Sequence, residues 1–257
     1  MDTNRRGFLG AMGRVTIGAA ASMAGAGQSA QAATDQPHIP HWGMVVDLRK
    51  CIGCQACTVA CIMENDVPED SFRTHVSVYE VLKEGGDPAM VMLPRLCNHC
   101  DDPPCVPVCP VEATFKLETG EVVVDNTKCV GCAYCVQACP YDARFINHET
   151  QTADKCTFCF HRTSAGLLPA CVETCVGGAR NFGDLNDPES EVSRMLRENE
   201  VSVLRPEMHT NPNVYYIGLD AVLDGRVAGE AAYRPPLTVE PEPHGLAAEP
   251  QPHGEDA

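Results

Sequence analysis

The sixteen cysteines of this 257-residue chain fall into four groups of four, with none left over. The groups are Cys51, Cys54, Cys57, Cys61; Cys97, Cys100, Cys105, Cys109; Cys129, Cys132, Cys135, Cys139; and Cys156, Cys159, Cys171, Cys175. Thiolates are soft ligands that suit iron–sulfur clusters or zinc. Zinc sites use C-x2-C pairs, typically two per metal. The first and third groups instead run C-x2-C-x2-C-x3-C, a spacing that wraps three irons of a cubane. A disulfide framework is the other alternative, but such scaffolds are small and lack a repeated cluster spacing. Four [4Fe–4S] clusters are therefore expected. They would also help hold the fold together. Aromatic residues are only 5% of the chain, with Trp42 the single tryptophan, and ligation free energy is folding free energy.

In two-cluster ferredoxins the fourth cysteine of such a run serves the other cluster. Pro110 and Pro140 follow the fourth cysteines of groups two and three, where proline stops a local helix. Groups one and four lack that proline. Pairing like with like gives a crossed scheme: cluster 1 on Cys51, Cys54, Cys57 and Cys175; cluster 2 on Cys61, Cys156, Cys159 and Cys171; cluster 3 on Cys97, Cys100, Cys105 and Cys139; cluster 4 on Cys109, Cys129, Cys132 and Cys135. Tandem pairing, one with two and three with four, stays open. Gly53 and Gly131 inside the loops allow backbone conformations that other residues resist.

An internal repeat frames two of the groups. "VVDLRKCIGC" (45–54) matches "VVDNTKCVGC" (123–132), and "ADKCTFC" (153–159) echoes both. A short strand feeding a cluster loop is expected in the first two, the mark of a duplicated unit. Alternating polarity from Thr74 to Val81, the turn "EGGD" (84–87) and Ala89 to Leu93 predict a β-hairpin within an insertion over 62–96. "DPESEVSRMLREN" (187–199) predicts a helix opened by an Asp-Pro cap, with strands at 201–204 and 214–219. The organisation expected is a signal segment over 1–33, a four-cluster domain over 43–185, an extension over 186–233 and an acidic, Pro-rich, disordered tail over 234–257. His244 and His253 in that tail read as incidental.

The N-terminus has a charged start, an Ala/Gly-rich middle and an Ala-x-Ala end at Ala30–Ala32, the layout of a secretory signal. Arg5-Arg6 with Phe8 and Leu9 resembles the twin-arginine export signal, although Asn4 and Gly10 depart from its usual pattern. That route carries folded cargo, so clusters assembled in the cytoplasm could reach the periplasm in place. No other stretch is long and apolar enough to span a membrane, so membrane attachment is expected through a partner. The formal charge of −16 argues against nucleic acid. Lys50, Lys128 and Lys155 each precede a first cysteine, either to stabilise a reduced cluster or as solvated lysines. His99 reads as a loop residue. No nucleophile–base set or phosphate loop stands out, so no catalytic residue is assigned.

The stretches "CIGCQACTVAC", "RLCNHCDDPPCVPVCPVEATF", "CVGCAYCVQACPYDARFINHETQTADKCTFC" and "AGLLPACVETCVGGAR" resemble the iron–sulfur subunits of the DMSO reductase family of molybdopterin oxidoreductases, over roughly residues 43 to 220. The resemblance implies an α+β fold of two interleaved bacterial-ferredoxin-like modules with an inserted β-hairpin and a C-terminal extension. It also implies a non-catalytic electron-transfer subunit. Electrons would come from a quinol-oxidising membrane-anchor subunit and leave to a catalytic molybdopterin subunit. Within the family the intervening residues resemble the tetrathionate-reducing branch, with polysulfide, thiosulfate and arsenate relatives as alternatives and a free polyferredoxin as a further one.

Overall fold

The run Met44-Val45-Val46 is apolar at successive positions, which suits a strand buried on both faces. In a computed structural model that describes residues 38–82 and 87–219, it is the centre of β1 (Trp42–Asp47), buried from Gly43 onward. Successive side chains of a strand point to opposite faces. Met44 and Val46 accordingly join the main core, which includes Cys57, Cys97, Cys100, Cys156 and Cys171. Val45 joins a second core with Val192, Met195 and Ile217. One strand thus separates the cysteine-rich core from an ordinary apolar one.

From β1 a 3-10 turn (Leu48–Lys50) leads to the first cysteine, then α1 (Ala56–Asn65). β2 (Thr74–Leu82) and β3 (Pro88–Leu96) pair antiparallel from Thr74↔Leu96 to Leu82↔Pro88. β4 (Thr114–Lys116) with β5 (Val122–Val124), and β6 (Arg144–Ile146) with β7 (Ala153–Lys155), form two short antiparallel hairpins around α2 (Tyr134–Gln137). Then come α3 (Phe160–Thr163), α4 (Ala170–Glu173), β8 (Arg180–Asp184), α5 (Glu191–Glu198), β9 (Val201–Ser202) and β10 (Val214–Ile217). The main sheet has the order β8-β1-β10-β9. β8 pairs antiparallel and β10 parallel with β1, so the cysteine-bearing stretch between Asp47 and Arg180 is one excursion that starts and ends at the same sheet. Mixed helix and strand content is thus present throughout.

Every cysteine group follows a strand: β1, β3, β5 and β7 end just before Cys51, Cys97, Cys129 and Cys156. The Asp of the repeat explains two of these junctions. Asp47 Oδ1 accepts the Arg49 N–H at 3.1 Å and Asp125 Oδ1 accepts the Thr127 N–H at 2.9 Å. Each carboxylate therefore caps the turn that hands a strand to a loop. Asp154 plays a different part, accepting from the Lys155 N–H at 2.6 Å and pairing with Arg73. The loops also need glycine. Gly131 has φ of +67°, and a Cβ there would lie 2.3 Å from the Gln151 carbonyl oxygen. At Gly177 a Cβ would meet the Lys50 carbonyl oxygen at the same distance, so the segment after Cys175 lies directly against the segment before Cys51.

The helix after Asp187 starts later than its Asp-Pro dipeptide suggests. Ser190 is its cap, accepting from the Ser193 N–H at 3.2 Å, because Asp187 is engaged with the Glu189 N–H at 2.9 Å in the preceding turn. The strands expected at 201–204 and 214–219 are shorter, ending at Ser202 and Ile217. Residues 1–33, the turn residues 84–86, residues 220–233 and the tail 234–257 lie outside the described residues.

The Arg49 hydrogen bond holds the Asp47 carboxyl below its ordinary 3.8, against the opposing effect of burial. Such a group stabilises the fold above the unfolded value, and the contribution is lost as pH falls through the folded one. Asp47→Ala should therefore cost about 0.5–2 kcal/mol at pH 7. In denaturant unfolding the difference from the parent should shrink below pH 3.8. A difference that persists unchanged at lower pH would contradict a role for the charged carboxylate.

Candidate iron–sulfur centres

The third and fourth cysteines of every group are four residues apart. A helical turn puts such residues on one face, one above the other. Cys57 and Cys61 lie this way on α1 and both are buried. Cys135 lies on α2 and Cys171 on α4, with Cys139 and Cys175 just beyond the ends of those helices. The third cysteine can then face its own loop while the fourth faces the next site. The residue after the second cysteine is left-handed in both copies of the repeat, Gln55 at φ 60° and Ala133 at φ 63°, and it turns the loop into the helix.

Three sets of four cysteines each surround one cavity. Cys51, Cys54, Cys57 and Cys175 line the first, with Arg180 and Val76. Cys61, Cys156, Cys159 and Cys171 line the second, with Met44 and Phe158. Cys97, Cys100, Cys105 and Cys139 line the third, with Tyr141 and Arg144. Of the remaining four, Cys129 and Cys135 pack with Cys105, Val122 and Ala153 in a small third core. Each cavity draws its cysteines from two groups: one and four for the first two, two and three for the third. A tandem arrangement would not produce these combinations.

All sixteen cysteines are free thiols. Among the described residues no three His, Cys, Asp or Glu side chains come close enough to share one metal ion; the sets stand around gaps instead. Burial pushes the Cys61 and Cys100 thiols up to about 12 and Cys105 to about 11. Burial also raises Cys156 well above its ordinary value, reinforced by Cys61, Cys171, Cys97 and Cys159. A dry thiolate is unfavourable unless positive charge compensates it, and a metal does so directly. Backbone N–H groups already point at sulfurs. Ala113 donates to Cys109 and Ala179 to Cys175, both at 3.2 Å, Ala153 to Cys129 at 3.3 Å and Phe158 to Cys156 at 3.4 Å. Thiol donors around gaps, with N–H groups aimed at the sulfurs, fit iron–sulfur clusters.

The three lysines ahead of first cysteines separate clearly. Lys50 and Lys128 are exposed and lie beside Asp47 and Asp125, as solvated lysines do. Lys155 is only 1% exposed; its ammonium donates to the Cys156 carbonyl at 2.7 Å and to the Val122 carbonyl. His99 is not a simple loop residue. It is fully buried, accepts from the Val122 N–H at 3.1 Å through Nδ1, and stacks on Phe158 with ring centroids 3.8 Å apart. Burial and nearby Lys155 hold its imidazole neutral, well below the ordinary histidine value.

Two further buried cations follow the cysteine groups instead of preceding them. Arg144 donates to Cys105 Sγ at 3.1 Å and to Thr114 at 3.3 Å. Arg180 donates to Thr74 at 2.8 Å and sits against the Cys171 thiol. The signal was present: "CPYDAR" and "CVGGAR" both read C-x3-A-R from the fourth cysteine. The arginine is the first residue of β6 and of β8.

A 4Fe-4S dicluster domain matches residues 88–185, and a second model of the same description matches residues 50–113. A tetrathionate reductase subunit of Salmonella typhimurium is 56% identical over 238 residues, covering 90% of this chain and 94% of that one. A putative dimethyl sulfoxide reductase iron–sulfur subunit of Halobacterium salinarum is 38% identical over 242 residues, covering 78% and 92%. A selenate reductase subunit of Mesobacillus selenatarsenatis is 40% identical over 211 residues, covering 68% and 71%. With these similarities, the repeated cysteine loops and the thiol-lined cavities, the chain belongs to the iron–sulfur electron-transfer subunits of the DMSO reductase family of molybdopterin oxidoreductases.

Proposed function

We propose that this chain relays electrons through four [4Fe–4S] clusters, held in the crossed scheme, from a quinol-oxidising membrane subunit to a catalytic molybdopterin subunit that reduces tetrathionate. The observation that carries the ligand scheme is the three cavities, each lined by four cysteines from two groups. Cluster 4 on Cys109, Cys129, Cys132 and Cys135 follows by elimination. The clusters, when bound, supply reversible one-electron uptake.

The thiols of successive sets also lie side by side in one order. The guanidinium of Arg180 sits against Cys171 and Cys57, which joins sets 1 and 2. Cys156 and Cys97 lie in one core, and Cys97 adds to the upward push on the Cys156 thiol, which joins sets 2 and 3. Arg144 sits against Cys105 and Cys135, which joins sets 3 and 4. The two ends are open. Cys54 and Cys132 are the exposed cysteines, and exposed apolar side chains flank each: Ile52 and Val176 at one end, Val130 and Tyr134 at the other. A chain that passes electrons between two partners needs contact surfaces at both ends of its path. No helix among the described residues is long and apolar enough to cross a membrane, so attachment falls to the membrane-anchor partner. The acceptor follows the tetrathionate reductase relative. Export in the folded state to the periplasm follows the Arg5-Arg6 signal layout.

Two outcomes are expected. Anaerobic pull-down of the tagged protein from native membranes should bring molybdenum and a membrane protein, and the eluate should oxidise a reduced dye with tetrathionate. Activity with another acceptor alone would correct the substrate, whereas a brown, solitary, inactive protein would point to a free polyferredoxin. Cys139→Ser should remove the EPR signal of the cluster on Cys97, Cys100 and Cys105 and spare that on Cys129, Cys132 and Cys135. Loss of the second signal instead would overturn the crossed scheme.

A further inference from the structure

We propose that Arg180, Lys155 and Arg144 are positioning residues for electron transfer, one cation at each of the three joints between successive clusters, where each offsets the negative charge gained by the clusters on either side. The inference rests on the ligand sets proposed above. Arg180 lines the cavity of set 1 and reaches Thr74, which lines the cavity of set 2. Lys155 is held between the carbonyls of Cys156, in set 2, and Val122, which lines the cavity of set 3. Arg144 hydrogen-bonds Cys105 Sγ of set 3 and lies against Cys135 of set 4.

Two features together set these side chains apart from the other described lysines and arginines. They are 3%, 1% and 4% exposed, respectively. None makes an ion pair among the described residues, although Arg49, Arg73, Lys116, Arg162 and Arg194 all do. This occurs in a chain with 35 acidic residues and a net charge of −16, so carboxylates were available. A buried charge without a counter-charge is strongly unfavourable. A guanidinium cannot shed its proton to escape that cost. For the two arginines the compensating charge must therefore come from the sets themselves, whose thiolates and reduced clusters are anionic, while the Lys155 ammonium is held by the carbonyls of Cys156 and Val122.

Placement at the joints has an electrical consequence. Reduction adds negative charge to a buried site, and net charge and hydrogen bonds to sulfur are levers on the potential. A cation between two sites favours the reduced state of both. It also counters the repulsion between neighbours that are reduced together, which is strong where water is excluded. The C-x3-A-R repeat gives this placement a sequence basis at two joints. The fourth cysteine crosses to the neighbouring cavity, and the arginine five residues later opens a strand and lines that same cavity, Arg180 with Cys175 and Arg144 with Cys139.

The test is an EPR-monitored redox titration of the purified complex carrying Arg144→Gln, Arg180→Gln or the charge-conserving Arg144→Lys and Arg180→Lys. Arg144→Gln should shift the reduction equilibrium of the two clusters beside it at least tenfold toward the oxidised state. For a one-electron couple that is about 59 mV. The clusters at the far end should be unmoved, and Arg144→Lys should restore the parent value. Arg180→Gln should do the same at the other end. Full iron content with unmoved potentials overturns the inference while leaving the relay intact. If a glutamine variant loses iron, retention in the matching lysine variant supports a role for charge. Iron lost from both assigns a packing role only and overturns it. A parent complex without iron would overturn the relay itself and this inference with it.

Discussion

A thiol taken out of water resists ionisation, and a thiolate taken out of water needs a positive partner. This fold buries most of its sixteen thiols and pushes the most enclosed of them far from ionisation. Iron resolves the conflict, because ligation stabilises the thiolate where solvent cannot. The rest of the architecture follows from that requirement. The strands deliver loops, the loops deliver three cysteines to a gap, and a helical turn aims the fourth cysteine at the neighbouring gap. The large aromatic side chains that usually fill a core are scarce. Three of those present form a row with His99: His99 on Phe158, Phe158 edge-on to Phe182, and Phe182 stacked on Trp42.

The core that contains no cysteine is small and clearly marked off. β1 faces the cysteine-rich core with Met44 and Val46, and faces α5 with Val45. β8 and β10 return to pair with β1, so the cluster-bearing excursion is closed by an ordinary sheet. Gly177 against the Lys50 carbonyl is the tightest point of that closure. It brings the ends of groups four and one together, as a crossed ligand scheme needs. The anionic surface is separated from the interior in the same way: exposed lysines lie beside aspartates outside, while buried cations inside meet only carbonyls, hydroxyls and sulfurs.

Much of this was legible in the sequence because it was written twice. "VVD" ahead of Cys51 and Cys129 marks a strand and its cap, and both are present. The alternation from Thr74 to Val81 marks β2, and its partner after the turn extends further, to Leu96. What was not legible depends on long-range burial. Lys50, Lys128 and Lys155 look alike in sequence, yet only Lys155 is enclosed. His99 looks like a loop residue between two cysteines, but Phe158, distant in sequence, stacks on it. Arg144 and Arg180 carry a repeated C-x3-A-R signal, but its meaning appears only when each guanidinium is seen beside the thiols of two sets. The cap of α5 shifted because two local hydrogen-bond options, Asp187 and Ser190, were both available and each found its own N–H.

The most direct measurement of the central claim is the iron and acid-labile sulfide content of the anaerobically purified complex, with Mössbauer spectra to identify the cluster type. Four cubanes on sixteen cysteines require about sixteen irons and sixteen sulfides for each copy of this chain, all in [4Fe–4S] form. Zinc in place of iron would contradict the account. So would an iron count near twelve with four cysteines left free to alkylation in the folded protein.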